Sequence, residues 1–115
     1  MALSRILKGL GVDLVDVSTG GLIGNHRVIP LSPGYQVKFG AKVRHEAGIP
    51  TASVGLITEV QQAETIVREG QADLIFQARE SLRDPYFPYR AAQVLGVQEF
   101  VKNPPQYARR NVAKL

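Results

Sequence analysis

Two short segments of this chain carry residues suited to binding chemistry. Val54-Gly55-Leu56-Ile57-Thr58 and Ala72-Asp73-Leu74-Ile75-Phe76-Gln77-Ala78-Arg79 each run from apolar residues into a small residue where a helix is expected to begin, and the second ends in an arginine. Backbone N–H groups at such a junction point at an anion, and small residues let it approach closely. A guanidinium adds paired, coplanar donors for phosphate oxygens, which an ammonium cannot supply. The chemistry indicated is phosphate recognition. No P-loop lysine, Gly-x-Gly-x-x-Gly fingerprint, nucleophile elbow or metal-ligand cluster accompanies it.

Each of these residues also has a plainer reading. Gly55 could serve only a tight turn, and Arg79 could pair with Glu80 or Asp84 at the surface. Tyr35, Tyr86 and Tyr89 read as packing residues on helices. Asp13 and Asp16 sit at the start and in the interior of one strand, where a spacing of three puts them on opposite faces and rules against a paired acid–base role. His26 and His45 lie nineteen residues apart in different elements and read as ordinary histidines.

The elements that must position the two junctions are legible from periodicity and punctuation. Leu3, Ile6, Leu7 and Leu10 have helical spacing, and Gly9 and Gly11 close that segment before a strand over Val12–Ser18. The strand's near-continuous apolar run predicts cover on both faces. A long loop follows through Pro30 and Pro33. The next helix is expected from Gly34 or Tyr35 to Ala47-Gly48, with Tyr35, Phe39 and Val43 along one stripe. Pro50 separates it from a strand over Thr51–Val54. Thr58 is the expected N-cap of a helix with Val60, Ala63, Ile66 and Val67 on its apolar side and Gly70 at its end. A third strand over Ala72–Phe76 leads to a brief helical turn over Arg79–Leu82, cut by Asp84-Pro85. Pro88 fits the first turn of a last helix ending at Leu95. This is βαβαβα with a helical lead-in, hence a parallel sheet with its loops at one edge, a part of either a doubly wound fold or a barrel.

Length and charge narrow the class. A chain of 115 residues suffices for one domain with a modest core, whereas a complete (β/α)8 barrel takes about 250. The net charge of +4 comes from Lys102, Arg109, Arg110 and Lys114, all beyond Phe100 where no acidic residue lies. The preceding body is balanced, so a nucleic-acid groove is not indicated and residues 97–115 read as an irregular basic tail after a folded part over 1–96. There is no cysteine, no signal-peptide core and no apolar run of membrane-spanning length. A soluble, cytoplasmic protein without membrane or nucleic-acid partners is expected.

Six motifs in order then carry a resemblance: Gly11-Val12-Asp13-Leu14-Val15-Asp16-Val17-Ser18-Thr19-Gly20, Pro33-Gly34-Tyr35-Gln36-Val37, Val54-Gly55-Leu56-Ile57-Thr58, Ala72-Asp73-Leu74-Ile75-Phe76, Arg79-Glu80-Ser81-Leu82-Arg83-Asp84-Pro85 and Gln106-Tyr107-Ala108-Arg109. Together they resemble the C-terminal part of the old yellow enzyme family, in its bacterial NADPH dehydrogenase and xenobiotic reductase branch. The resemblance implies an α/β fold that is part of a (β/α)8 TIM barrel, three parallel βα units corresponding to strands 6 to 8. It also implies FMN as cofactor, NAD(P)H as reductant and an activated alkene as hydride acceptor. By the same resemblance Gly55, Ala78 and Arg79 hold the FMN phosphate, Ser18 and Gly20 lie close to the flavin, and Arg109 matches an arginine that in some members reaches a neighbouring subunit's active site.

The match has two local departures. The family generally has glycine where this chain has Ala78, so a positive φ there would cost about 1 kcal/mol or more. Gln77 is polar where a small or apolar residue is usual. The family's main catalytic residues lie on strands 1 to 5, which have no counterpart here, and no catalytic or metal-ligating residue is assigned. The implied function is the FMN-phosphate-binding portion of an ene-reductase, inactive alone. The alternative is a non-catalytic binding or assembly module. Either way the exposed sheet edges lead one to expect a homo-oligomer or a complementing N-terminal barrel half.

Overall fold

The computed structural model describes residues 1–20 and 31–107. Its elements run α1 (Ala2–Gly9), β1 (Val15–Val17), α2 (Val37–Ala47), β2 (Thr51–Ser53), α3 (Val60–Arg68), β3 (Leu74–Ile75), α4 (Arg79–Arg83) and α5 (Phe87–Leu95), followed by a 3-10 turn over Gln98–Phe100 that leans on α5. The strands form one parallel sheet in the order β1-β2-β3, with Val15 opposite Thr51, Val17 opposite Ser53 and Ser53 opposite Ile75. The expected α/β order is present with shorter strands.

Helix ends follow local chemistry. Gly48, Gly70 and Gly96 take φ of +63°, +69° and +72° at or just past the ends of α2, α3 and α5. At α3 the Gly70 N–H donates to the Val67 carbonyl and the Gln71 N–H to the Ile66 carbonyl, which satisfies two carbonyls that the helix end leaves open. Pro88 occupies the first turn of α5 as expected. Thr58 is not the cap of α3. The helix begins one residue later, with Glu59 extended at the N-cap, and the Thr58 N–H donates to the Gln62 side chain at 3.4 Å.

Among the described residues the helices cover one face of the sheet, and on the other Ala52 of the central strand is buried as well. Strand alternation and register place Val15, Val17, Thr51, Ser53 and Ile75 together, and α2 packs on β1 and β2 while α3 packs on β3. Val37, Ile57, Ile66 and Ala72 form the core, with Ala63 and Ile75 against it. On the opposite face Asp16 and Leu74 are exposed, so β1 is not covered on both faces as its sequence suggested.

The stripe of α2 also differs from expectation. Val37, Gly40 and Ala47 are buried, Phe39 is exposed, and Tyr35 precedes the helix. The reason is close approach: a Cβ on Gly40 would lie 2.7 Å from the Ser53 hydroxyl, so the helix side bearing glycine is the side that can meet the strand.

α1 is inverted relative to an ordinary surface helix. Ser4 is its buried residue, and Leu3, Ile6 and Leu10 are 66%, 59% and 76% exposed. Arg5 donates to the Glu46 carbonyl at 3.0 Å and Lys8 to the Gly48 carbonyl at 2.6 Å, so two cations cap the C-terminal carbonyls of α2.

Candidate functional site

Because all three strands are parallel, their C-terminal ends share one edge, and a cleft of about 160 Å³ opens there beyond β2 and β3. Gly55, Leu56, Ile57 and Thr58 line it from the first junction, and Gln77, Ala78, Arg79 and Arg83 from the second. Tyr35 and Gln36, from the turn before α2, complete it.

The first junction is shaped by two consecutive residues of positive φ, Gly55 at +115° and Leu56 at +52°. The glycine is required twice over. Its φ suits no L side chain, and a Cβ would stand 2.9 Å from the Tyr35 ring. The Gly55 carbonyl accepts from the Gly34 N–H at 2.8 Å, which fastens the same turn from the other side. Leu56 holds the left-handed conformation without being glycine, a cost on the order of 1 kcal/mol.

At the second junction Ala78 takes φ of −103° as the N-cap of α4. A negative φ needs no glycine, so the alanine carries none of the strain that a left-handed conformation would impose. Arg79 is exposed and is not paired as its simplest reading suggested. Glu80 accepts from Arg83 at 2.8 Å, and Asp84 from Arg90 at 2.8 Å. Among the described residues no carboxylate pairs with Arg79, and the N–H groups of Gly55, Leu56, Ile57, Ala78 and Arg79 donate to no backbone or side-chain acceptor. The residues lining one cleft therefore include, among the described residues, a guanidinium without a carboxylate and several backbone N–H groups without an acceptor, the kinds of donor that an anion neutralises and satisfies.

Ser18 and Gly20 follow β1 at the same edge but do not line the cleft. They are tied to it through Gln36, which is buried. Its Oε1 accepts from both the N–H and the hydroxyl of Thr19, and its Nε2 donates to the Tyr35 hydroxyl at 3.0 Å. Arg109 and His26 lie outside the described residues, and His45 is an exposed residue of the last turn of α2. Tyr89 is on α5, whereas Tyr86 is its exposed N-cap. Among the described residues no group of His, Asp or Glu could hold a metal ion, and no helix is long and apolar enough to cross a membrane.

Sequence reasoning missed Gln36 and the ion pair at the other end of the strands. Arg44 donates through Nε and Nη2 to the Asp73 carboxylate at 2.9 and 3.0 Å and through Nη1 to the Gly70 carbonyl at 3.0 Å. Asp73 also accepts the Thr51 N–H at 2.9 Å. Hydrogen bonds from the guanidinium and from that amide hold the Asp73 carboxyl below the usual carboxylate range, and Asp73 in turn raises Arg44. Only the Pro50 break and the strand start at Thr51 hinted at a special N-terminal edge.

Comparison with known proteins gives this geometry a family. Residues 3–98 match the NADH:flavin oxidoreductase / NADH oxidase family. An NADPH dehydrogenase of Geobacillus thermodenitrificans (strain NG80-2) is 52% identical over 103 residues, which are 90% of this chain and 29% of that protein. One from Listeria innocua is 50% identical over 106 residues, 92% of this chain and 30% of the relative. One from Halalkalibacterium halodurans is 47% identical over 109 residues, 95% of this chain and 31% of the relative. The chain thus spans about 30% of the length of these relatives. With its match running across most of its residues, it belongs to the NADH:flavin oxidoreductase / NADH oxidase family.

Proposed function

We propose that this chain is the FMN-phosphate-binding portion of an NAD(P)H-dependent flavin oxidoreductase of the ene-reductase type. Its three βα units correspond in this reading to strands 6 to 8 of a (β/α)8 barrel. The observation that carries the reading is that Gly55, Ala78 and Arg79 line one cleft at the C-terminal edge of a parallel sheet, while among the described residues neither the Arg79 guanidinium nor the N–H groups of these three residues have a partner.

The cleft fits the phosphate end of FMN. Its volume of about 160 Å³ is below the roughly 300–1,000 Å³ of sites that enclose a whole small molecule. The flavin ring must then lie over other residues, with Ser18 and Gly20 nearest it on this chain. When bound, FMN supplies hydride transfer from NAD(P)H to an activated alkene. The residues described here anchor and orient it: Arg79 neutralises the phosphate, the junction amides fix its oxygens, and Gly55 lets Tyr35 close against the turn. Arg109 matches an arginine that in some members of the family reaches a neighbouring subunit's active site, a role this reading extends to it. Without the strands that carry the family's main catalytic residues, the 115 residues bind and do not turn over.

Titration with FMN by flavin fluorescence and calorimetry tests the reading, with inorganic phosphate, riboflavin and Arg79→Ala as comparisons. Saturable binding of FMN and phosphate, lost in the variant and absent for riboflavin, is expected. Equal binding of riboflavin and FMN, or no binding of FMN at millimolar concentration, would overturn it.

A further inference from the structure

We propose that Gln77 is a positioning residue that locks the two halves of the anion cleft at one spacing, an inference that rests on the phosphate-binding reading above. Its side-chain Nε2 donates to the Ile57 carbonyl at 2.9 Å, across from the second βα junction to the first. Ile57 is 3% exposed and belongs to the core cluster, and among the described residues no other donor reaches its carbonyl. The main chain of Gln77 is fixed as well, since its carbonyl accepts the Ser81 hydroxyl at 3.1 Å from within α4. One residue therefore fastens the peptide beside Leu56 to the peptide that precedes Ala78 and Arg79.

The need for such a tie follows from the geometry. β2 and β3 are paired only through Ala52–Leu74 and Ser53–Ile75, so the ladder ends before either junction begins. The last backbone bond between them is from the Phe76 N–H to the Ser53 carbonyl. Beyond it the Gln77 side chain is the remaining direct hydrogen bond between Gly55–Thr58 and Gln77–Arg79 among the described residues. Donors converging on a single anion bind it well only when their separation is set beforehand. A polar residue at a strand end, which propensity alone would disfavour, thereby acquires a reason.

The test compares the chain with Gln77→Met, which keeps length and bulk but cannot donate, and with Gln77→Glu, which keeps shape but replaces the donor with an acceptor. FMN and inorganic phosphate affinities, thermal midpoint, and amide hydrogen exchange at 56–58 and 78–79 without ligand are measured for each. Gln77→Met is expected to bind both ligands about tenfold more weakly at temperatures well below its midpoint, with the midpoint lowered by the Ile57 carbonyl left without a donor and with faster exchange at both junctions. Gln77→Glu is expected to bind more weakly still. Wild-type affinity in Gln77→Met would overturn the inference while leaving the phosphate reading intact. If the wild-type chain binds neither ligand, the phosphate reading fails by itself, and the exchange data decide: unchanged rates overturn the tie, and faster rates support it. Should Gln77→Met not fold, Gln77→Asn, one methylene too short to reach Ile57, is measured in the same way.

Discussion

The two edges of the sheet are built on opposite terms. At the N-terminal edge charges are joined in networks: Arg44 grips Asp73 and the Gly70 carbonyl, Asp73 takes the Thr51 N–H, and Arg5 and Lys8 cover carbonyls at the end of α2. At the C-terminal edge Leu56 is held in a costly conformation, and among the described residues Arg79 has no carboxylate and the N–H groups of Gly55, Leu56, Ile57, Ala78 and Arg79 donate to nothing. Strain and unspent donors at one end, with bonded networks at the other, are the contrast on which the proposed phosphate-binding reading of the C-terminal edge rests.

Substitutions at each edge should break or sharpen that contrast. The largest effect is expected at Gly55, the one place where the binding edge also supports the structure. Gly55→Ala should cost about 3 kcal/mol in urea unfolding, from a disallowed φ and the collision with Tyr35, and should abolish FMN binding. An unfolding midpoint like wild type would show that Tyr35 moves freely, and the rigid-turn account would fail.

Gly40→Ala comes next, at about 1–2 kcal/mol, because the added methyl meets Ser53 while the gain in helix propensity offsets part of the loss. FMN affinity should hardly change, since α2 meets β2 away from the cleft.

Asp73→Asn should lower stability at neutral pH and leave anion binding intact. Its folded pKa is depressed, so the stabilisation is fully present above the unfolded carboxylate value of about 4 and is lost as pH falls through the lower folded value. Unfolding curves of wild type and variant should therefore converge below about pH 4. A constant gap at all pH values would show that the pair contributes by shape and not by charge.

The smallest effect on intrinsic stability, within about 0.5 kcal/mol, is expected for Ile6→Lys on the exposed side of α1. If wild type is an oligomer in light scattering after size exclusion and its chains associate through that apolar side, the same change should shift it towards monomer. A wild-type chain that is monomeric at low micromolar concentration would overturn the expectation, drawn from the sheet edges, of a homo-oligomer.

The order of elements was legible because glycine and proline punctuate it locally: Gly48, Gly70, Gly96 and Pro88 each act within one helical turn. The two βα junctions that bear Gly55, Ala78 and Arg79 were legible for the same reason, as such a junction is written in consecutive residues. What could not be read depends on partners far along the chain. The buried side of α2 is decided by Ser53, thirteen residues after Gly40, and Arg44 meets Asp73 across 29 positions. Gln36 and Gln77 carry no periodic signal, and their roles exist only once Thr19 and Ile57 are placed beside them. Whether Arg79 is paired likewise turned on Arg83 and Arg90 taking the nearby carboxylates first.

The inverted α1 bears on how long this polypeptide lasts in a cell. A helix showing Leu3, Ile6 and Leu10 to water presents what chaperones and proteases use to recognise unfinished proteins. Wherever that side stays uncovered, surveillance of exposed apolar surface adds to the turnover set by the unfolding equilibrium. The level of this chain should then follow the supply of whatever covers the helix.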